Sequence, residues 1–247
     1  MNTRLAVRLA GLAITWLAGL GMSSALVAAP IKKVQFTTDF RLQDCQFQTE
    51  GVNPYFLLTP GRKLVLQSED ETETVEITVL EDLELISSVP GLGDVTTRVV
   101  EERETADGVL IEVSRNFFAI CGGRNDVVYF GEDVDIFNPD NTITHEGQWR
   151  AGQADENGVA EPGVIMPGTF LLGSRYFQEI ADGIALDRAE HVEMGLDIET
   201  DAGDFHDCVR IVETTPLEPK SESEKIYCPG VGLVVDSDVQ LVEIEEP

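Results

Sequence analysis

Positive charge is scarce in this chain. Lys and Arg together number 17 against 45 Asp and Glu, only five residues are Lys, and the formal net charge is −28. Such a surface would repel a phosphate backbone, which excludes nucleic-acid binding. Histidine is scarcer still, with only His145, His191 and His206. No GxSxG turn is present either, so a Ser or Cys nucleophile has few bases to draw on. The four Cys contain no CxxC pair, which removes zinc-ribbon and thioredoxin-type readings. No EF-hand order of Asp, Asn and Gly occurs, and no repeat of about 20 to 50 residues marks a solenoid or propeller.

Long helical periodicity is also missing. The one candidate, IADGIALDRAEHVEM at 180–194, is interrupted by Gly183 and reads equally as a loop entering a strand. What recurs instead are short β-branched or alternating runs, among them RKLVLQ, ETVEITVL, VTTRVVEE, VLIEVSRNFFAI, DVVYFGEDVDIF, VRIVETT and LVVDSDVQLVEI. Turn chemistry separates them at TPGR, ADG, NPDN and DENG. The pattern predicts an all-β fold, an antiparallel sheet forming an open or half barrel or a sandwich, with at most one or two short helices. Ala151 to Gly168, rich in Gly, Pro and acids, reads as a long connection across the sheet.

At the N-terminus, Arg4 and Arg8 precede an uncharged apolar run that ends in SSALVAAP. This is the layout of a secretory signal peptide, so residues 1–29 are expected to be removed. Residues 30–247 then form a single acidic domain, exported to a periplasmic or extracellular compartment, with no stable membrane insertion of the mature chain. Two Arg and no acid leave with the leader, so the acidity belongs to the folded part. An oxidising destination makes pairing the default for the four Cys. Cys208 and Cys228 are symmetric about residue 218, inside the turn signal PLEP. A hairpin folded there would bring them roughly 5.5 Å apart at Cα, leaving Cys45 for Cys121, with free buried thiols as the alternative.

Acid pairs are too abundant to be informative singly, but the NPDN turn singles out one group. A four-residue loop would pair Phe137 with Thr142, Val134 with His145 and Asp133 with Glu146. Oxygen ligands from Glu132, Asp133, Asp135 and Glu146, with His145 beside them, could then surround a hard cation such as calcium; a solvated acidic face is the competing reading. Asp204, His206 and Asp207 in GDFHDC are a weaker catalytic candidate. His191 and Met194, at helical spacing, with Met166 and His206 elsewhere, are a copper candidate set against ordinary packing. Tyr55, Phe56, Phe117, Phe118, Tyr129, Phe130, Trp149 and Tyr176 read first as a sheet core. If the sheet curls without closing, their inward members could line a pocket for an apolar ligand.

Seven stretches together carry a resemblance: NPYFLLTPG (53–61), YFGEDV (129–134), HEGQWRAG (145–152), PGVIMPG (162–168), GDFHDC (203–208), TTPLEP (214–219) and PGVGLV (229–234). Spanning most of the mature chain in this order, they resemble a family of uncharacterised exported bacterial proteins. The resemblance implies export and brings no catalytic residue with it. In architecture, NPYFLLTPG followed by paired strands is similar to open β-half-barrel lipid and lipoprotein carriers. Cys228 departs from the family pattern, standing where an apolar residue would precede PGVG, and this supports a disulfide peculiar to this chain. The expected function is a non-enzymatic binding protein for an apolar small ligand or a divalent cation, calcium in particular. The alternative is a metal- or carboxylate-dependent hydrolase.

Overall fold

Alternating β-branched and aromatic residues favour strands, and the computed structural model, which describes residues 34–247, is built of them. The expected leader, residues 1–29, lies outside the described residues. In chain order the strands are β1 (Phe47–Gln48), β2 (Lys63–Ser68), β3 (Glu73–Val89), β4 (Gly93–Ala106), β5 (Val109–Cys121), β6 (Asp126–Phe137), β7 (Ile143–Thr144) and β8 (Trp149–Arg150). They continue with β9 (Glu161–Met166), β10 (Arg175–Phe177), β11 (Glu179–Ile180), β12 (Arg188–Thr200), β13 (Gly203–Thr214), β14 (Glu222–Cys228), β15 (Gly232–Asp236) and β16 (Val239–Glu245). Among the described residues the helical content is one three-residue 3-10 turn, Leu42–Asp44. Every pairing between strands is antiparallel.

Thirteen strands lie side by side in the order β10, β12, β13, β14, β15, β16, β2, β3, β4, β5, β6, β9, β11. The two ends of this path, β10 and β11, are consecutive in the chain with only Gln178 between them. Segment 175–180 therefore pairs first with β12 and then with β9, and this change of partner draws the edges into a nearly closed barrel. Gly163 on β9 makes the crossing feasible, because a Cβ there would lie 2.2 Å from the Gln178 carbonyl oxygen. Thr37 covers the outer edge of β10, donating to the Arg175 carbonyl at 2.9 Å and accepting from the Phe177 amide at 3.0 Å.

The N-terminal segment pairs with β5 through β1, covers the outward Phe130 with Phe47, and then turns in to the cavity at Tyr55–Leu57. Phe47 meets the fully buried Phe130 edge-on at 5.2 Å, and the Arg150 guanidinium lies 4.4 Å from the ring centre of Phe117. Burying a Phe side chain contributes about 2–3 kcal/mol, so this covered outer face is a second source of core stability. Arg98, 4% exposed, ties the segment down. Its guanidinium donates to the carbonyls of Leu80 and Glu81 and to the Glu50 carboxylate. The bulge in β3 between Val79 and Leu83 takes those two carbonyls out of the ladder, and Arg98 satisfies them.

Both expected disulfides form. Cys45 is bonded to Cys121 and Cys208 to Cys228, with Cα separations of 5.0 and 4.2 Å. The β13–β14 register, from Val209 opposite Tyr227 to Thr214 opposite Glu222, is centred on residue 218 as the symmetry predicts. The 4.2 Å separation is shorter than the roughly 5.5 Å expected because narrow antiparallel pairs set Cα atoms about 4.5 Å apart.

Two expectations need correction, and one open alternative is decided. The hairpin after β6 pairs Phe137 with Ile143 and Ile136 with Thr144, one residue out of the predicted register. Its loop is five residues, closed by the Asn138 amide on the Thr142 carbonyl with Asn141 left-handed. The stretch 151–168 is more than a connection, since β9 within it is a barrel strand. The window 180–194 is a turn running into β12, the loop-to-strand alternative rather than a helix.

Candidate functional site

Inward positions follow from alternation, and three neighbouring strands show the same progression along the barrel axis. On β4 it runs Val100, Glu102, Glu104; on β5, Phe118, Asn116, Ser114, Glu112; on β6, Tyr129, then Glu132. The cavity they border measures about 540 Å³. At its apolar end stand Tyr55, Phe56 and Leu57, with Leu64 of β2, Val79 of β3 and Leu233 of β15. Asn53 anchors that floor: its amide donates to the Asn125 and Met166 carbonyls, and its side-chain oxygen accepts from the Tyr55 and Phe56 amides. Toward the Asp107–Gly108 turn the lining becomes acidic, and Glu179 of β11, Asp187 before β12 and Glu213 of β13 join it.

A bulge makes this face. Glu132 lies opposite Asn116 and Tyr129 opposite Phe118, so β6 spends three residues where β5 spends two. The extra residue lets Tyr129 and Glu132 point the same way and sends Phe130 outward. Gly131 sits at the irregularity with φ 129°, and a Cβ on it would lie 2.3 Å from the Trp149 carbonyl oxygen. Only glycine fits there.

Charge divides between the two faces of the wall. Outside, acids meet Arg: Arg115 reaches Glu101 at 3.1 Å and Asp135 at 3.6 Å, and Arg150 reaches Asp133 and Glu84 at 2.7 Å each. Inside, the lining cations are Arg62 and Lys225. Arg62 is engaged by Glu246 and the Val231 carbonyl, and Lys225 by Glu213 at 3.2 Å and Asp236 at 3.5 Å. Glu102, Glu104, Glu112 and Glu132 have no ion pair among the described residues.

Burial without a cation raises carboxyl pKa values. Desolvation pushes Glu102 up to about 7, and the nearby Lys225 only partly opposes it. Glu132 is also pushed up to about 7 by desolvation, which the nearby Tyr129 hydroxyl only partly opposes. Glu179, desolvated and repelled by Glu132 and Asp187, is held well above the ordinary carboxylate range, although the Trp149 indole donates to it at 3.3 Å. Desolvation likewise raises Glu104, Glu112 and Asp187. Burial alone would lower the Lys225 ammonium, but Glu213 and Asp236 outweigh it and hold Lys225 charged.

The residues expected around a calcium ion are separated. Glu132 faces the cavity, while Asp133 and Asp135 alternate to the outer face and pair with Arg. His145 contacts Asp135 at 3.2 Å and the Val134 carbonyl at 2.6 Å, and Glu146 is exposed beyond the short β7. In place of the expected Glu146, Asp133 meets the guanidinium of Arg150, which stands opposite Gly131 on β8. Among the described residues no group of three or more His, Cys, Asp or Glu converges as metal ligands do. The copper candidates are also apart. His191 is buried, stacked on Phe170 at 3.8 Å and within 2.9 Å of the Tyr176 hydroxyl, whereas Met194 is 52% exposed and Met166 sits in the core. His206, in the Asp204–Asp207 group, is exposed and contacts Asp197 at 2.8 Å.

Of the aromatic residues named from the sequence, Tyr55, Phe56, Phe118 and Tyr129 line the cavity, while Phe117, Phe130, Trp149 and Tyr176 are buried away from it. Glu102, Glu104, Glu112, Glu179, Asp187, Glu213 and Lys225 escaped sequence reasoning. A signal existed in the period-two spacing of Glu102, Glu104 and Glu112 on consecutive strands. No family model matches the chain, and no curated protein or solved structure is detectably similar to it.

Proposed function

We propose that the protein is an exported, non-enzymatic carrier or receptor that holds a small molecule inside its barrel. One observation carries this reading: the wall encloses about 540 Å³ that its own side chains do not fill, with aromatic and aliphatic residues at one end and polar groups at the other. Binding sites for small molecules have this size and this mixture. Export rests on the leader-like residues 1–29 and fits the two disulfides. Native mass spectrometry of the protein taken from its own compartment tests the binding. A bound mass of a few hundred daltons that is lost on denaturation supports it, and a bare chain throughout a set of growth conditions counts against it.

A second reading, a carboxylate-dependent hydrolase, is favoured by Glu132 and Glu179. Glu179 is held well above the ordinary carboxylate range and Glu132 only to about 7, so the first could serve as a protonated acid beside the second as a base. Release of p-nitrophenol from p-nitrophenyl glycosides or esters, abolished by Glu132→Gln, would favour hydrolysis over simple binding.

A further inference from the structure

Resting on the binding reading above, we infer that the ligand is an organic cation: an amine or quaternary ammonium head joined to an apolar body. The polarity gradient along the cavity sets the orientation. Val100, Phe118 and Tyr129 face the body near the Tyr55–Leu57 floor, and Glu102, Glu104 and Glu112 face the head toward the turn end.

Charge accounting sets the sign. The two cations in the lining are already engaged, Lys225 by Glu213 and Asp236 and Arg62 by Glu246, whereas Glu102, Glu104, Glu112 and Glu132 have no cationic partner among the described residues. Inside a wall of low polarity such a surplus favours a positive guest far more than it would at an open surface. An anionic guest would find both lining cations already ion-paired, with only the Arg62 Nε left to receive it against the surplus carboxylates, and a neutral one would leave the carboxylates desolvated.

A second feature, independent of the acids, points to a guest. Tyr227 lines the cavity and is 3% exposed; its hydroxyl has no hydrogen-bond partner among the described residues and is not one of the enclosed unpaired atoms, so it is left open to the cavity rather than satisfied by the protein. It stands on β14 two residues from Lys225, where a guest's polar atom could serve it. Phe118 and Tyr129, in contact at 4.7 Å between ring centres, add aromatic surface on which a cation is stabilised.

Isothermal titration of the full-length chain with three probes sharing one tail separates the possibilities: octylammonium, octan-1-ol and octanoate, at about pH 7.5 in low salt. Octylammonium is expected to bind about tenfold or more tightly than octan-1-ol, with octanoate weakest. Glu102→Gln should reduce octylammonium affinity several-fold and leave octan-1-ol unchanged, with Glu112→Gln as a second variant should the first fold poorly. Glu101→Gln, on the outer face of the same strand, should change neither. If octan-1-ol or octanoate binds as well as octylammonium, the cation inference is overturned and the cavity reading stands. If none of the three binds, both fall.

Discussion

Replacing Glu102 with Gln should make the protein more stable at alkaline pH, an unusual outcome for a change inside a barrel. In the folded chain burial pushes this carboxyl up to about 7, against an ordinary value of 4.5. The folded state therefore holds the proton more tightly than the unfolded one. Its contribution is fully present below about pH 4.5 and is lost as pH rises through about 7. A difference of about 2.5 units corresponds to about 3 kcal/mol at most, and cavity water reduces it, so a gain of about 1–3 kcal/mol is expected near pH 8. Gln keeps the shape and cannot ionise. Urea denaturation with disulfides intact, at about pH 4.5 and about pH 8, measures it: near-identical midpoints at the lower pH and a higher midpoint for Glu102→Gln at the upper one. A variant less stable than the parent at pH 8, or shifted equally at both pH values, would refute the argument that an unpaired buried carboxylate strains this fold.

His191 runs the other way: desolvation lowers it to about 4, so stability falls as pH drops from about 6.5 toward 4, by about 3 kcal/mol in all. With the interior acids acting on the alkaline side, melting temperature against pH should peak between about 5 and 6.5. Gly131→Ala should cost about 2–4 kcal/mol through the clash with the Trp149 carbonyl, seen as a lower denaturation midpoint. Replacing Cys45 and Cys121 together by Ser, which opens a separation of 76 residues, should cost about 4 kcal/mol on the chain-entropy model. Millimolar calcium should raise the melting temperature in low salt by relieving repulsion, and Asp133→Asn should leave most of that rise, because Asp133 is already paired with Arg150; loss of the whole effect would restore a discrete calcium site.

Strand identity and the hairpin between Cys208 and Cys228 were legible because each depends on local pattern: alternation of apolar residues, and a turn midway between two Cys. The barrel interior was not, for two physical reasons. Alternation assigns faces only while the register is unbroken, and the bulge at Gly131 reverses it, so that Tyr129 and Glu132 share a face that counting by twos denies them. Carboxylates are also ordinarily assigned to solvent because burying them is costly. The row from Glu102 and Glu104 to Glu112 therefore went unnoticed in the sequence, although the barrel wraps it around a cavity. Closure through Gln178 was invisible as well, since it depends on one segment exchanging β12 for β9, a tertiary event with no local signature. The calcium group failed for a simpler reason, since alternation along β6 puts Glu132 on the cavity side and Asp133 and Asp135 on the outer side, where Arg150 and Arg115 pair with them.

The central claim is that the barrel interior is a binding space, and filling it tests that claim most directly. Ser114, a small residue among the lining strands, can be changed to Trp. The environment-sensitive apolar dye N-phenyl-1-naphthylamine can then be titrated into the parent and variant chains, with far-ultraviolet circular dichroism checking that both are folded. A saturable one-to-one rise in emission for the parent that is lost in Ser114→Trp is the predicted result, and equal emission from the two folded chains would contradict it.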